Sequence, residues 1–368
     1  MSNIRSKPAR LLFLIGCIAL LGAALAACGK TSGESSPSGG GESTAAGGGG
    51  EEASGGGNSA VPLSEIEEGK LKIGFSNYAA VIPLYQSMIA GIEDGAKKYG
   101  WSVEVTDSKF EPNKQVSDIQ SLITKGVNLL IVSPGDAHAL LPAYQEAARE
   151  GIPIISIANS LAPEDSSWET AFFGVSNETV GEEQTEALIQ AMGGKGEVIQ
   201  VNGPSGVDFV TEMTAGAKKV FEGQQGVKVA FEGGTKELSA AEGLRVGQAG
   251  LTAHPEIQGG WANDDELAVG LVRALSEQGL AGKAPVAWNG GTAQAMDLAA
   301  KGDLVGVILP TYTWGIEAME GIHAAINGEE EFSGRVLGKM FPLESAEQAK
   351  ELIAQCPQEP NQIWCLGR

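Results

Sequence analysis

Asn263, Asp264, Asp265 and Glu266 stand together where a short apolar run ends and a helical pattern begins, in Trp261-Ala262-Asn263-Asp264-Asp265-Glu266-Leu267. Two chemistries fit them. Asn263 or Asp264 can cap the helix while the following acids complement its dipole. The carboxyl end of a strand, beside a helix N-terminus, is also where open α/β sheets hold ligands. A catalytic constellation is harder to find. His138 sits early in a helical pattern, His254 precedes Pro255, and His323 lies within a helix, so each reads as a cap or surface residue rather than a base. Gly203-Pro204-Ser205-Gly206 lacks the spacing of a nucleophile elbow. The glycine runs at 39–57 have no phosphate-loop pattern, and no metal-ligand spacing occurs. Glu329-Glu330-Glu331 reads as a solvated turn. The expectation is a binding protein, not an enzyme, with no cofactor and no metal.

The four cysteines fall into two groups. Arg5, Lys7 and Arg10 precede the apolar run Leu11–Ala27, which holds Cys17 and ends in Leu25-Ala26-Ala27-Cys28. This is the pattern of a signal peptide. Its last four residues resemble the lipobox of bacterial lipoproteins, which implies cleavage before Cys28 and lipid on its thiol. Residues 29–60 carry glycine, serine, alanine and glutamate and almost nothing larger that is apolar. Such a segment cannot bury enough surface to order itself. A tether of that composition spans roughly 30 Å. No later run reaches the ~18 apolar residues of a membrane span. Cys356 and Cys365 remain, nine residues apart in the tail. An even pair in an oxidising compartment reads as a disulfide, and metal binding lacks a nearby histidine. The tail is placed outside the cleft inferred below, so loss of that disulfide is expected to leave binding intact.

The net charge of −21 becomes −24 once the three basic residues of the leader are removed. That argues against nucleic acid, whose phosphates need basic patches. The long remainder exceeds an ordinary single core, so two domains are expected. The elements that must position the polar residues repeat as strand, loop, helix. Strands are expected at Leu71–Phe75, Ser102–Thr106, Asn128–Val132 and Pro153–Ile157, with helices between them at Leu84–Tyr99, Lys114–Lys125 and Ala137–Glu150. Their spacing of about 25–30 residues is the βαβ period of a doubly wound parallel sheet. After a loop at 158–168 the pattern restarts at Ala171 and runs to a helix over Gly315–Ile326.

Gly91–Gly100, Gly126-Val127-Asn128-Leu129-Leu130-Ile131-Val132-Ser133-Pro134, Gly151-Ile152-Pro153-Ile154-Ile155, Leu251-Thr252-Ala253-His254-Pro255 and Asn263–Gly270 together carry a resemblance. From about residue 70 to 340 the chain resembles the periplasmic sugar-binding proteins of the ribose-binding type, the type I solute-binding components of ABC importers. The resemblance implies an α/β fold of two doubly wound, Rossmann-like lobes joined by a three-segment hinge. The implied boundaries are a signal peptide at 1–27 and a lipidated cysteine with disordered linker at 28–66. The N-terminal lobe takes 68–172 plus 309–331, the C-terminal lobe 173–308 plus 332–345, and a helix and tail 346–368.

The family's site falls on Tyr85, Asn159, Phe209, Met213, Asp264, Trp288 and Asn289, with Tyr312 and Trp314 beside its last position at Leu309 or Pro310. The family's Asp-Arg pair is Ala158-Asn159 here, and its helix arginine falls near Met213. Bidentate arginine–carboxylate pairs suit sugar hydroxyls. Their replacement implies a ligand with an apolar face and few hydroxyls, or one with an amino group near Asp264; a sugar held by other polar groups stays open. The implied partners are a small solute, an ABC permease and, through lipid alone, a membrane, with the chain a monomer at the cell envelope. Delivery to a permease and sensing by a lipoprotein of the same fold both remain open, as does a nucleoside or amine ligand.

Overall fold

The computed structural model describes residues 59–66, 69, 71–205 and 207–368. The leader 1–27, Cys28 and the linker to residue 58 lie outside the described residues.

Apolar runs that end in polar residues form strands, and the helical patterns between them cover both faces. The first lobe runs β1 (Lys72–Asn77), α1 (Pro83–Lys98), β2 (Ser102–Asp107), α2 (Pro112–Thr124), β3 (Leu129–Val132), α3 (Leu141–Arg149), β4 (Ile154–Ile157) and β5 (Ala171–Gly174). The second runs α4 (Asn177–Ala191), β6 (Gly196–Asn202), α5 (Asp208–Gly223), β7 (Val227–Gly234), α6 (Ala240–Ala253), β8 (Gly259–Ala262), α7 (Asp265–Glu277), β9 (Val286–Gly290), α8 (Ala293–Ala299) and β10 (Leu304–Ile308). Then follow α9 (Thr311–Ile326), β11 (Gly334–Leu337), β12 (Phe341–Leu343) and α10 (Ala346–Ala354).

The first sheet has the order β11-β5-β4-β3-β1-β2 and is parallel throughout. The second has the order β12-β10-β9-β8-β6-β7 and is parallel except for β12, which pairs antiparallel with β10. This is the two-lobed, doubly wound α/β architecture that the resemblance implies. β3, β4, β8, β9 and β10 are buried at every residue, as strands covered on both faces must be.

The chain passes between lobes after β5, after β10, and between β11 and β12. The third passage departs from expectation. The sequence places it at 331/332, yet Gly334–Leu337 pairs with Ala171–Gly174, so β11 extends the first sheet and the crossing comes at 338–340. The free edge of β5 accepts one more parallel strand before the chain leaves. The crossings are hydrogen-bonded to their surroundings: Gly338 N–H donates to Gly174 O at 2.7 Å and Leu309 N–H to Gly290 O at 2.8 Å.

Helix α9 returns to the first lobe and lies on α1 at close range. A Cβ on Gly91 would sit 2.1 Å from Tyr312 O, and one on Gly315 2.5 Å from Ile92 N. Only glycine at both positions lets these backbones approach. Helix α3 starts at Leu141 rather than Ala137, because Asp136 Oδ1 accepts from the backbone N–H groups of His138 and Ala139 and holds that segment in a turn.

Candidate functional site: the cleft at the strand ends

In both sheets polar residues lie at or just beyond the carboxyl ends of several strands: Asn77 ends β1, Asn159 follows β4, Asn263 follows β8 and Asn289 is the last but one of β9. In the first lobe β1 ends at Asn77, which is fully buried, and neither its amide nitrogen nor its amide oxygen has a hydrogen-bond partner. A buried carboxamide left bare costs about 1–3 kcal/mol per group. Tyr85, in the first turn of α1, is 7% exposed. Asn159 follows β4, and its Nδ2 donates to Tyr85 Oη and to Pro134 O, each at 3.1 Å. Asn159 is aimed by a tight turn in which its N–H donates to Ile157 O at 2.8 Å, with Ala158 held at φ +64°. A non-glycine residue there carries backbone strain, the kind that clusters at functional sites. Burial pushes the Tyr85 phenol up from its ordinary pKa, so it stays neutral.

In the second lobe Asp264 caps α7, its Oδ1 accepting from Leu267 N–H at 2.9 Å. Surrounding protein strips water from this carboxylate although part of its surface stays open. Desolvation pushes its pKa up to about 7; the Leu267 bond opposes the shift, and the charges of Asp265 and Glu266 add to it. Asp265 does something else. Its Oδ1 accepts Trp288 Nε1–H at 2.8 Å and the backbone N–H groups of Gly291 and Thr292 at 3.1 Å each. It clasps the start of α7 to the β9–α8 loop. A Cβ on Gly290, whose φ is +130°, would lie 2.1 Å from Asp265 Oδ2. The clasp therefore requires glycine at that position.

Asn289 is 4% exposed. Its Nδ2 donates to Asn263 O at 2.7 Å and Gln184 Oε1 at 2.9 Å, with Met213 Sδ at 3.5 Å. Gln184 Nε2 in turn donates to Ala262 O at 3.1 Å. Asn263 is fully buried; its Oδ1 accepts from Gly203 N–H at 2.8 Å, and its Nδ2 has no partner. The floor of this lobe is thus a carboxamide network, Gln184–Asn289–Asn263, with a bare donor.

The structure brings Tyr85 and Asn159 together in the first lobe and Asn289 and Met213 together in the second, with Asp264 at the start of α7. Phe209, in the first turn of α5, is partly exposed and packs against the core cluster that contains Tyr85 and Met213. Three expected cleft residues lie elsewhere. Trp288 is fully buried in the second lobe's core, where its indole secures Asp265. Strand alternation sends its ring to the opposite face of β9 from Asn289. Trp314 is 1% exposed and donates to Lys339 O at 2.6 Å, so it pins the third hinge crossing. Tyr312 Oη donates to Asp94 Oδ2 at 3.1 Å, well along α1 from Tyr85. Asn77, Asn263 and Gln184 take part where the expected site does not name them. Cys356 and Cys365 form a disulfide.

A family model described as the periplasmic binding protein domain matches residues 73–330. The ribose import binding protein of Bacillus subtilis strain 168 is 30% identical over 221 residues, which cover 60% of this chain and 70% of that protein. The xylitol-binding protein of Mycolicibacterium smegmatis is 25% identical over 65% of this chain and 68% of its own length. Among solved structures, a solute-binding protein of an ABC transporter from Actinobacillus succinogenes with bound D-allose is 27% identical; the match covers 77% of this chain and all of that one at a TM-score of 0.70. A periplasmic ribose ABC transporter protein from Conexibacter woesei matches in fold at a TM-score of 0.72, with 24% identity over 83% of this chain and all of that one.

Proposed function

We propose that this chain, which belongs to the periplasmic binding protein family, is the solute receptor of an ABC importer for a small, uncharged, hydroxyl-bearing solute of the sugar or polyol class. Its lobes close about the hinge over that solute, and the complex delivers it to a permease in the membrane to which Cys28 lipid tethers the chain. The carrying observation is a set of buried, unpartnered carboxamide groups at the strand ends of both lobes: both amide atoms of Asn77 at the end of β1, and Nδ2 of Asn263 directly after β8. A carboxamide offers donor and acceptor side by side, which matches a hydroxyl and leaves no charge to satisfy. The site groups are carboxamides, a phenol and one carboxylic acid near neutrality; arginine and lysine are not among them. That favours an uncharged solute over an anionic one. The relatives for ribose, xylitol and D-allose support the same class.

Asp264 supports a second reading, an amine-bearing solute, because a cation beside it would return the carboxylate to its charged form. A thermal unfolding panel separates the two. A solute at a thousand times its Kd adds about 4 kcal/mol of stability, a shift of several degrees. Pentoses, hexoses and polyols are expected to give it. A shift with amines or nucleosides alone would replace the first reading by the second.

A further inference from the structure

Beyond α10 the chain turns back and touches both lobes. On the second lobe it is anchored firmly. Ile363 is fully buried beside Gly291, Trp364 and Cys365 join the same core, and the disulfide returns the tail to the end of α10. Arg368 closes the anchor, donating to Ala293 O at 2.9 Å and pairing with Asp297 at 2.8 Å, both on α8. Toward the first lobe the contacts are fewer: Leu84 of α1 packs against the core that holds Ile363 and Trp364, and the rest are polar. Ser87 Oγ of α1 donates to Asn361 O at 2.7 Å. Gln362 Nε2 donates to Thr313 Oγ1 of α9 at 3.4 Å, and Asn361 Nδ2 to Asp94 Oδ2 at 3.4 Å.

We propose that this disulfide-closed tail is a strap that travels with the second lobe and latches the first lobe outside the three hinge crossings. The tail lies beside the second crossing without being part of it, with Ile363 against Gly291 and Gln362 on Thr313, and its contacts with the first lobe are made over one range of lobe angles and broken outside it. The latch therefore adds stability to the approximated lobes and none to separated ones. Its strength is of the right order for a bias rather than a lock. One well-formed hydrogen bond, Ser87 to Asn361 at 2.7 Å, with two long ones at 3.4 Å that add little, shifts a two-state population by about threefold to tenfold. The Cys356–Cys365 bond holds Asn361 and Gln362 in the short loop it closes, so it braces the latch. Loss of the disulfide is accordingly expected to loosen the lobes, contrary to the sequence expectation that it leaves binding untouched. The inference rests on the reading that the lobes move, and not on which solute they hold.

The test uses the solute-free mature chain with Cys28→Ser, carrying fluorophores on unnatural residues at Ser121 in the first lobe and Lys228 in the second. Single-molecule transfer gives the distribution of interlobe distance. Ser87→Ala with Thr313→Ala is expected to move population to longer distance by about threefold to tenfold. Ser87→Thr, which keeps a hydroxyl, is expected to stay close to the parent, and Cys356→Ser with Cys365→Ser, which opens the loop that braces the latch, is expected to shift as the latch variant does. A distance distribution unchanged by Ser87→Ala/Thr313→Ala in a folded protein would overturn the strap and leave the tail a cap on the second lobe. That result would not touch the solute reading, which the unfolding panel tests separately.

Discussion

Asp264 is held at a pKa of about 7 against a usual 3.8 because the fold desolvates it. The sign of the consequence is fixed. The folded value lies above the unfolded one, so the stability that Asp264 contributes is full below about pH 4 and is lost as pH rises through about 7. A rise of that size sets the loss at about 4 kcal/mol as an upper bound. Asp264→Asn keeps a helix cap and removes the titration. Urea unfolding should then show a variant more stable than the parent at about pH 8 and a flatter profile between about pH 4 and pH 7. A parent profile already flat there would show that Asp264 is ordinary. Asn77 makes the opposite kind of claim. With no partner for either amide atom, Asn77→Ala should leave solute-free stability no lower than the parent's, and up to about 3 kcal/mol higher, yet weaken solute binding more than tenfold. Calorimetric titration and urea unfolding on one preparation check both halves. Asn159 and Asn289 are reached only through the resemblance, whereas Asp264 is legible in the chain because a polar run ends an apolar strand there. Asn77 ends β1 in the same way, but the aromatic Tyr85 gives the stronger signal in that part of the chain and hides it. Trp288 misleads because an aromatic beside a site residue in sequence faces the other side of the strand.

The elements that carry these residues are legible where they are long and covered. The 3.6-residue pattern of α1 and the apolar run of β3 each have one physical solution. The misses are local. β11 and β12 are short and mostly exposed, so they show neither alternation nor a continuous apolar run. The start of α3 is lost to the Asp136 turn, in which a side chain outcompetes the helix for two backbone N–H groups. In sequence Asp265 reads only as a charge complementing the helix dipole. Its role is larger, and Asp265→Ala should show it. The indole of Trp288 and two backbone N–H groups would be left bare, at a cost of at least about 2 kcal/mol. Denaturant unfolding checks this, and a variant as stable as the parent would mean that water replaces the clasp. At the contact of α1 with α9, Gly91→Ala puts a methyl 2.1 Å from Tyr312 O. The helices must part, which should lower stability by about 1–3 kcal/mol.

For the whole molecule, the two-lobe plan follows from the repeat of strand, loop and helix and from the resemblance it carries. The place of the third crossing does not, because a short, exposed strand added to a sheet edge just before the chain crosses gives no signal in local pattern. The tail is hidden for the same reason: its contacts join residues such as Ser87 and Asn361, far apart in the chain. The proposed function stands or falls on whether a small uncharged solute at the strand ends draws the lobes together. Small-angle X-ray scattering of the mature chain with Cys28→Ser, titrated with D-ribose, D-allose and xylitol, reads that closure without an intermediate step. Lobe closure requires a saturable fall in the radius of gyration with at least one of them, and none with the Asn77→Ala variant at the same concentration. An unchanged radius with all three, and with the wider set of pentoses, hexoses and polyols, would contradict it.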